Sequence, residues 1–222
     1  MSLKHQAFVT FFMLGAACGC HAPTHDEPLS IDEPVVALNV DLGSGDLHII
    51  GGDISGANVL AKVEGERNHL GYELTDGQLS LFEDCQEQPC SVSLGALVPA
   101  AIPFDIHTGS GDVLVEGAQD QLHVNAGSGD VEALGITGLD LQVKTGSGDI
   151  DLSVLDPTER VSVHAGSGDV HLDVPAGSYR LNVDTGSGDR SLKGINNDAA
   201  AAASIAIDTG SGDVQVRGRT EL

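Results

Sequence analysis

The sequence predicts an all-β protein, a parallel β-helix or closely related β-solenoid, right-handed and with about 18–20 residues per coil. Three observations predict it. The tetrapeptide Gly-Ser-Gly-Asp occurs seven times, beginning at Gly43, Gly109, Gly127, Gly146, Gly166, Gly186 and Gly210. Apolar and polar residues alternate on both sides of each copy, as with Leu141 and Val143 before one turn and Ile150 and Leu152 after it. A period of two is that of a strand with one buried face. The copies from Gly109 to Gly186 recur at steps of 18, 19, 20 and 20 residues, and a unit that cannot bury its own apolar face must stack on its neighbours. A β-sandwich of consecutive hairpins is the rival, because it shares both period and alternation.

The elements follow in chain order. Residues 1–20 read as an export signal with a lipoprotein cleavage box. Lys4 supplies a positive start, and the apolar run from Ala7 to Ala17 is too short to span a bilayer. Small residues then precede two cysteines. Cys20 is the expected lipidation site and Cys18 the alternative, since neither has a leucine three residues upstream. Residues 21–34, with three prolines and four acids, read as an extended tether. The solenoid is expected over 35–218, with irregular first coils over 35–102 and regular ones over 103–218. Cys85 and Cys90, five residues apart in an exported chain, are expected to form a disulfide closing a small loop.

The repeated motif has a structural and a functional reading. Glycine at its first and third positions, as in Gly109 and Gly111, Gly127 and Gly129, Gly146 and Gly148, Gly166 and Gly168, Gly186 and Gly188, suits a tight corner. Serine and aspartate can hold that corner through nearby backbone N–H groups. This accounts for all four residues without a ligand. The functional rival is a Ca2+- or glycan-binding module built on a column of Asp112, Asp130, Asp149, Asp169 and Asp189. Carboxylates about 5 Å apart repel by about 0.8 kcal/mol per pair even at the dielectric of water, so something must compensate them. One aspartate per coil is a thin supply for an ion that takes six to eight oxygens.

The segments "TGSGDV", "DGQLSL" and "VPAAIPFDIHTGSGDV" resemble the bacterial "putative adhesin" family of β-strand repeat proteins, otherwise classed as a domain of unknown function. The resemblance covers nearly the whole expected body. It implies a β-helical body in an exported or envelope protein, and it carries no catalytic residues to transfer. Arg190 departs from the pattern, standing where other copies place Val, Ile or Leu. An inward arginine needs a partner, so its coil is expected at a rim.

Composition narrows the function. A formal net charge of −23 leaves no basic surface for nucleic acid. Aromatics are only 3% of the chain, so the core is aliphatic. A polysaccharide-active enzyme is the weakest reading. Asp151 and His171 fall one coil apart on an outward face and could pair as acid and base, while His107, His123 and His164 fall on outward positions as well. The expectation is a non-catalytic, lipid-anchored lipoprotein of the cell envelope, on the outer membrane. It would act as an adhesin or scaffold through its outward strand face, with the bilayer and a protein or glycan as partners.

Overall fold

The computed structural model describes residues 23–220 apart from 87, 139 and 157, and every regular element within them is a strand. In chain order these are β1 (Thr24–Ile31), β2 (Ala37–Ser44), β3 (Leu47–Gly52), β4 (Ala57–Glu64), β5 (His69–Thr75), β6 (Gln78–Asp84) and β7 (Ser91–Pro99). The regular coils follow: β8 (Phe104–Ser110), β9 (Val113–Glu116), β10 (Leu122–Ser128), β11 (Val131–Ile136), β12 (Asp140–Ser147), β13 (Ile150–Val154), β14 (Arg160–Ala165) and β15 (Val170–Pro175). The last are β16 (Gly177–Thr185), β17 (Arg190–Lys193), β18 (Ile195–Asn197), β19 (Ser204–Thr209) and β20 (Val214–Arg219).

These strands make two ten-stranded sheets. One runs β1-β4-β7-β3-β9-β11-β13-β15-β20-β17 and the other β18-β16-β19-β14-β12-β10-β8-β2-β6-β5. Eight coils each contribute one strand to each sheet, β1 and β4 complete the first and β5 and β18 the second, and ten strands at about 4.8 Å spacing extend about 43 Å. Pairing is parallel throughout the coils and antiparallel only at β1–β4, β4–β7 and β5–β6. Parallel neighbours exclude the hairpin sandwich, whose consecutive strands pair antiparallel.

The alternation aligns into columns. Phe104, Leu122, Leu141, Val161 and Ile205 stack inward from one sheet, and Val113, Val131, Ile150, Val170 and Val214 from the other, all buried. Each such side chain contributes about 1.5–3 kcal/mol on leaving water, and no single coil could gain this alone. Among the largest fully buried side chains Phe104 is the one aromatic and the others are leucine and isoleucine, so the core is aliphatic around it.

The order of stacking corrects the simple reading. Coils do not follow one another in sequence at either end. The last coil, β19 and β20, lies between the β14–β15 coil and the β16–β17 coil. At the other end the first coil, β2 and β3, lies between the β6–β7 coil and the β8–β9 coil. The chain's first and last coils are therefore internal, each covered by a coil from further inside the sequence. A terminal coil held on both sides cannot fray as a free end would. The 24-residue step from Gly186 to Gly210 contains β18, which pairs with β16 on its outer side.

Two other expectations change. The tether over 21–34 is replaced, over Thr24–Ile31, by β1, an edge strand paired along its whole length with β4. The segment 35–102 contains one coil with the motif, one coil without it, and the antiparallel strands β4 and β5 that cover the end. The signal segment, Cys18 and Cys20 lie outside the described residues. Arg190 sits on β17, at the rim. Its Nη1 donates to the Val183 carbonyl at 2.7 Å and lies 3.4 Å from Asp184 Oδ1, and its side chain is half exposed.

Candidate functional site

All seven Gly-Ser-Gly-Asp motifs form the corner between the two sheets, and they stack in one column. The order along it is Asp46, Asp112, Asp130, Asp149, Asp169, Asp213, Asp189. The five aspartates named from the sequence are thus brought together, but Asp46 and Asp213 belong with them, and Asp213 separates Asp169 from Asp189.

The two glycines of each motif have different duties. At the third position, Gly111, Gly129, Gly148, Gly168 and Gly188 have φ between +122° and +143°, which L side chains rarely adopt. A β-carbon on Gly148 would also lie 2.1 Å from the Gly129 carbonyl oxygen. At the first position φ is ordinary, and the demand is close approach alone. A β-carbon on Gly146 would meet the Gly127 carbonyl oxygen at 2.5 Å.

Hydrogen bonds run through the corner without a break. The third-position N–H reaches the serine carbonyl of the next coil, as from Gly148 to Ser167 at 3.0 Å. The residue after the motif reaches the next aspartate carbonyl, as from Ile150 to Asp169 at 2.9 Å. The aspartate N–H between them is met by a side chain. Asp169 N–H donates to Asp149 Oδ1 at 2.8 Å, and the same bond recurs at all six junctions, between 2.7 and 3.1 Å. Six of the seven carboxylates, all but that of Asp189 at the end of the column, therefore hold the next coil's backbone, and each of these N–H groups offsets part of the repulsion within the column. The threonine before the motif is buried in several coils, and its hydroxyl is satisfied by corner carbonyls. Thr145 Oγ1 donates to Ser147 O at 3.1 Å and Thr209 Oγ1 to Gly168 O at 3.2 Å.

The ladder ends at the coil that lacks the motif. There the corner between β6 and β7 is the loop closed by the Cys85–Cys90 disulfide. Glu83 Oε1 accepts the Ser44 N–H at 2.9 Å, Ser93 Oγ accepts the Asp46 N–H at 3.0 Å, and Ser44 Oγ donates to the Cys90 carbonyl at 3.0 Å. Glu83 and Ser93 were not legible as part of the corner, because no repeat surrounds them.

The outward histidines do not assemble a catalytic pair. His171 lies beside Asp151 in register, yet its Nε2 faces Asp173 Oδ1 at 3.3 Å. His107 pairs with Asp105 at 3.1 Å and His164 with Asp208 at 3.1 Å. His123 Nε2 is buried with no hydrogen-bond partner among the described residues. Shallow depressions lined by Glu73, Thr75, Asp76 and Gln78, and by Asp32, Asp53, Ser55 and Asn58, are open to solvent. No histidine or cysteine lines either.

The model of the Toastrack DUF4097 family matches residues 32–217. The chain belongs to the Toastrack family. The matched range takes in every motif and the strands from β2 to β19 with most of β20, leaving out β1, and the family is a domain of unknown function. The crystal structure of a "putative cell adhesion protein" from Clostridium sporogenes shares the Toastrack chain's fold at a TM-score of 0.52 and 15% identity, covering 89% of this chain and 100% of that one. A "putative adhesin" from Bacteroides fragilis is similar at a TM-score of 0.49 and 10% identity, covering 88% of this chain and 97% of that one. No curated protein matches the sequence.

Proposed function

We propose that this Toastrack protein is an exported, lipid-anchored, non-catalytic protein of the cell envelope that works as an adhesin-like surface. The observation that carries this reading is the pairing of the outward side chains. His48 and His171 on one sheet, and His107 and His164 on the other, each face a carboxylate at 2.6–3.3 Å on the outward side of their strands, an arrangement that presents surfaces rather than enclosing a substrate. The apolar run before Cys18 and Cys20 supports export and anchoring. The names carried by the similar structures agree with adhesion, said there of those proteins.

The test uses a strain lacking the protein, complemented with the wild-type chain, Cys18→Ala or Cys20→Ala. Radiolabelled palmitate should enter the wild-type protein and be lost with Cys20→Ala. Adherence to glycan-coated or cell-coated surfaces should fall on deletion and return with the wild-type chain and with Cys18→Ala, but not with Cys20→Ala. A deletion strain that adheres as well as its parent rules out the adhesin reading, whatever the label shows.

A further inference from the structure

At the N-terminal end of the solenoid, three titratable side chains converge outside the corner column. In β1, alternate residues face the interior side: Leu29 and Ile31 do so as apolar residues, and His25 and Glu27 occupy the same face ahead of them. Beyond the end of the core they meet His69, the first residue of β5, on the other sheet. Glu27 Oε1 lies 3.0 Å from His25 Nε2 and 2.6 Å from His69 Nδ1. Glu27 Oε2 accepts the Leu70 N–H at 2.8 Å, which fixes the carboxylate's orientation. The two imidazoles stand edge to face, 6.0 Å between centroids.

This arrangement differs from every other histidine–carboxylate pair described above, where one imidazole meets one acid. Here two ring nitrogens from two strands point at a single oxygen, and the three candidate ligand atoms lie within 4.8 Å of one another. Among the described residues the one other such group is Glu83, Cys85 and Cys90, whose sulfurs are already joined to each other. Burial pushes the Glu27 carboxyl up, but hydrogen bonds from His69, the Leu70 N–H and His25 outweigh it and hold the group below the ordinary carboxylate range. Glu27 is therefore a ready anionic ligand.

We propose that His25, Glu27 and His69 form a divalent transition-metal site, best suited to zinc, that staples the outer edges of the two sheets together. Two imidazoles and a carboxylate leave a fourth position for water, a ligand set that zinc accepts and calcium does not favour. A tetrahedral ion about 2.1 Å from its ligands holds them about 3.4 Å apart. The nitrogens and the oxygen would separate by less than about 1 Å to admit it. The Leu70 N–H would then serve as the outer-shell partner that orients the carboxylate. The functional consequence is mechanical: β1 is an edge strand held along one side by β4, and the ion would tie it also to β5. The site stands independently of the adhesin reading.

The full chain, stripped with a chelator, is titrated with zinc chloride by calorimetry and melted with and without zinc. One tight equivalent should bind, with the melting temperature raised by several degrees. His69→Ala, His25→Ala and Glu27→Gln should each weaken it tenfold or more and abolish the shift, while His107→Ala leaves both unchanged. Cobalt chloride gives a second readout, since bound Co2+ should absorb in the visible in the wild type and not in the variants. Two histidine variants on different strands guard against one failing to fold. Zinc binding that survives all three substitutions, or a wild type that takes up no zinc or takes it at several equal sites, overturns the proposal.

Discussion

Each coil turns twice, and the two turns are built on opposite terms. The motif corner is repeated seven times in the same four residues, and its backbone is bonded to the next coil at every junction. The return corner differs each time. The segments GAQDQ over 117–121, TGLD over 137–140 and LDPTE over 155–159 have no common sequence, and the whole return path from one motif to the next, strands included, carries the variation behind the steps of 18, 19 and 20. The motif corner acts as a rail that sets register. The return corner has only to bring the chain back, so it tolerates variation.

The largest effect expected from this contrast comes from glycine. Gly148→Ala places a methyl group 2.1 Å from a neighbouring coil's carbonyl, at a φ of +134°. Backbone must move, so a loss above about 4 kcal/mol, or failure to fold, is expected in urea unfolding. Gly135→Ala, near the return corner, keeps a left-handed φ of +67° but finds its nearest neighbour at 3.9 Å. It should cost about 1 kcal/mol, the conformational penalty alone. Equal costs at the two sites would erase the distinction.

A smaller effect sharpens the same point. Three glycines inserted after Asp156, in a return corner, should cost less than about 1 kcal/mol, because lengthening a loop is entropically cheap. The same insertion between Ser147 and Gly148 should break the ladder on both sides and melt the protein many degrees earlier. Circular dichroism melts of the two insertions check this.

The rail was legible because it repeats, and what does not repeat was hidden. The corner, the alternation and the core columns around Leu141 and Val143 could be read from residues alone, as could the rim position of Arg190, which breaks the apolar column. The order of the coils could not. Every coil carries the same inward pattern, so nothing in the spacing says that Asp213 stacks between Asp169 and Asp189. β1 was concealed by composition. Pro28 sits in it because an edge strand has a side that needs no N–H, and His25 and Glu27 stand on its inward face where apolar residues would have marked a strand. With β1 read as a tether, and His69 far away in sequence, the convergence of these three side chains had no local signal.

The central claim is that the motif aspartates are acceptors for backbone N–H groups, with their charge incidental. Wild type, Asp149→Asn and Asp149→Ala, melted in calcium and in chelator, test it most directly. Asparagine keeps an oxygen for the Asp169 N–H and removes one charge from the column, so it should match or exceed the wild type. Alanine leaves that N–H to water and should lose about 1 kcal/mol. Neither calcium nor chelator should move any of the three curves. If asparagine is as damaging as alanine, and calcium stabilises the wild type alone, then the carboxylates hold a cation and the rail is a binding site.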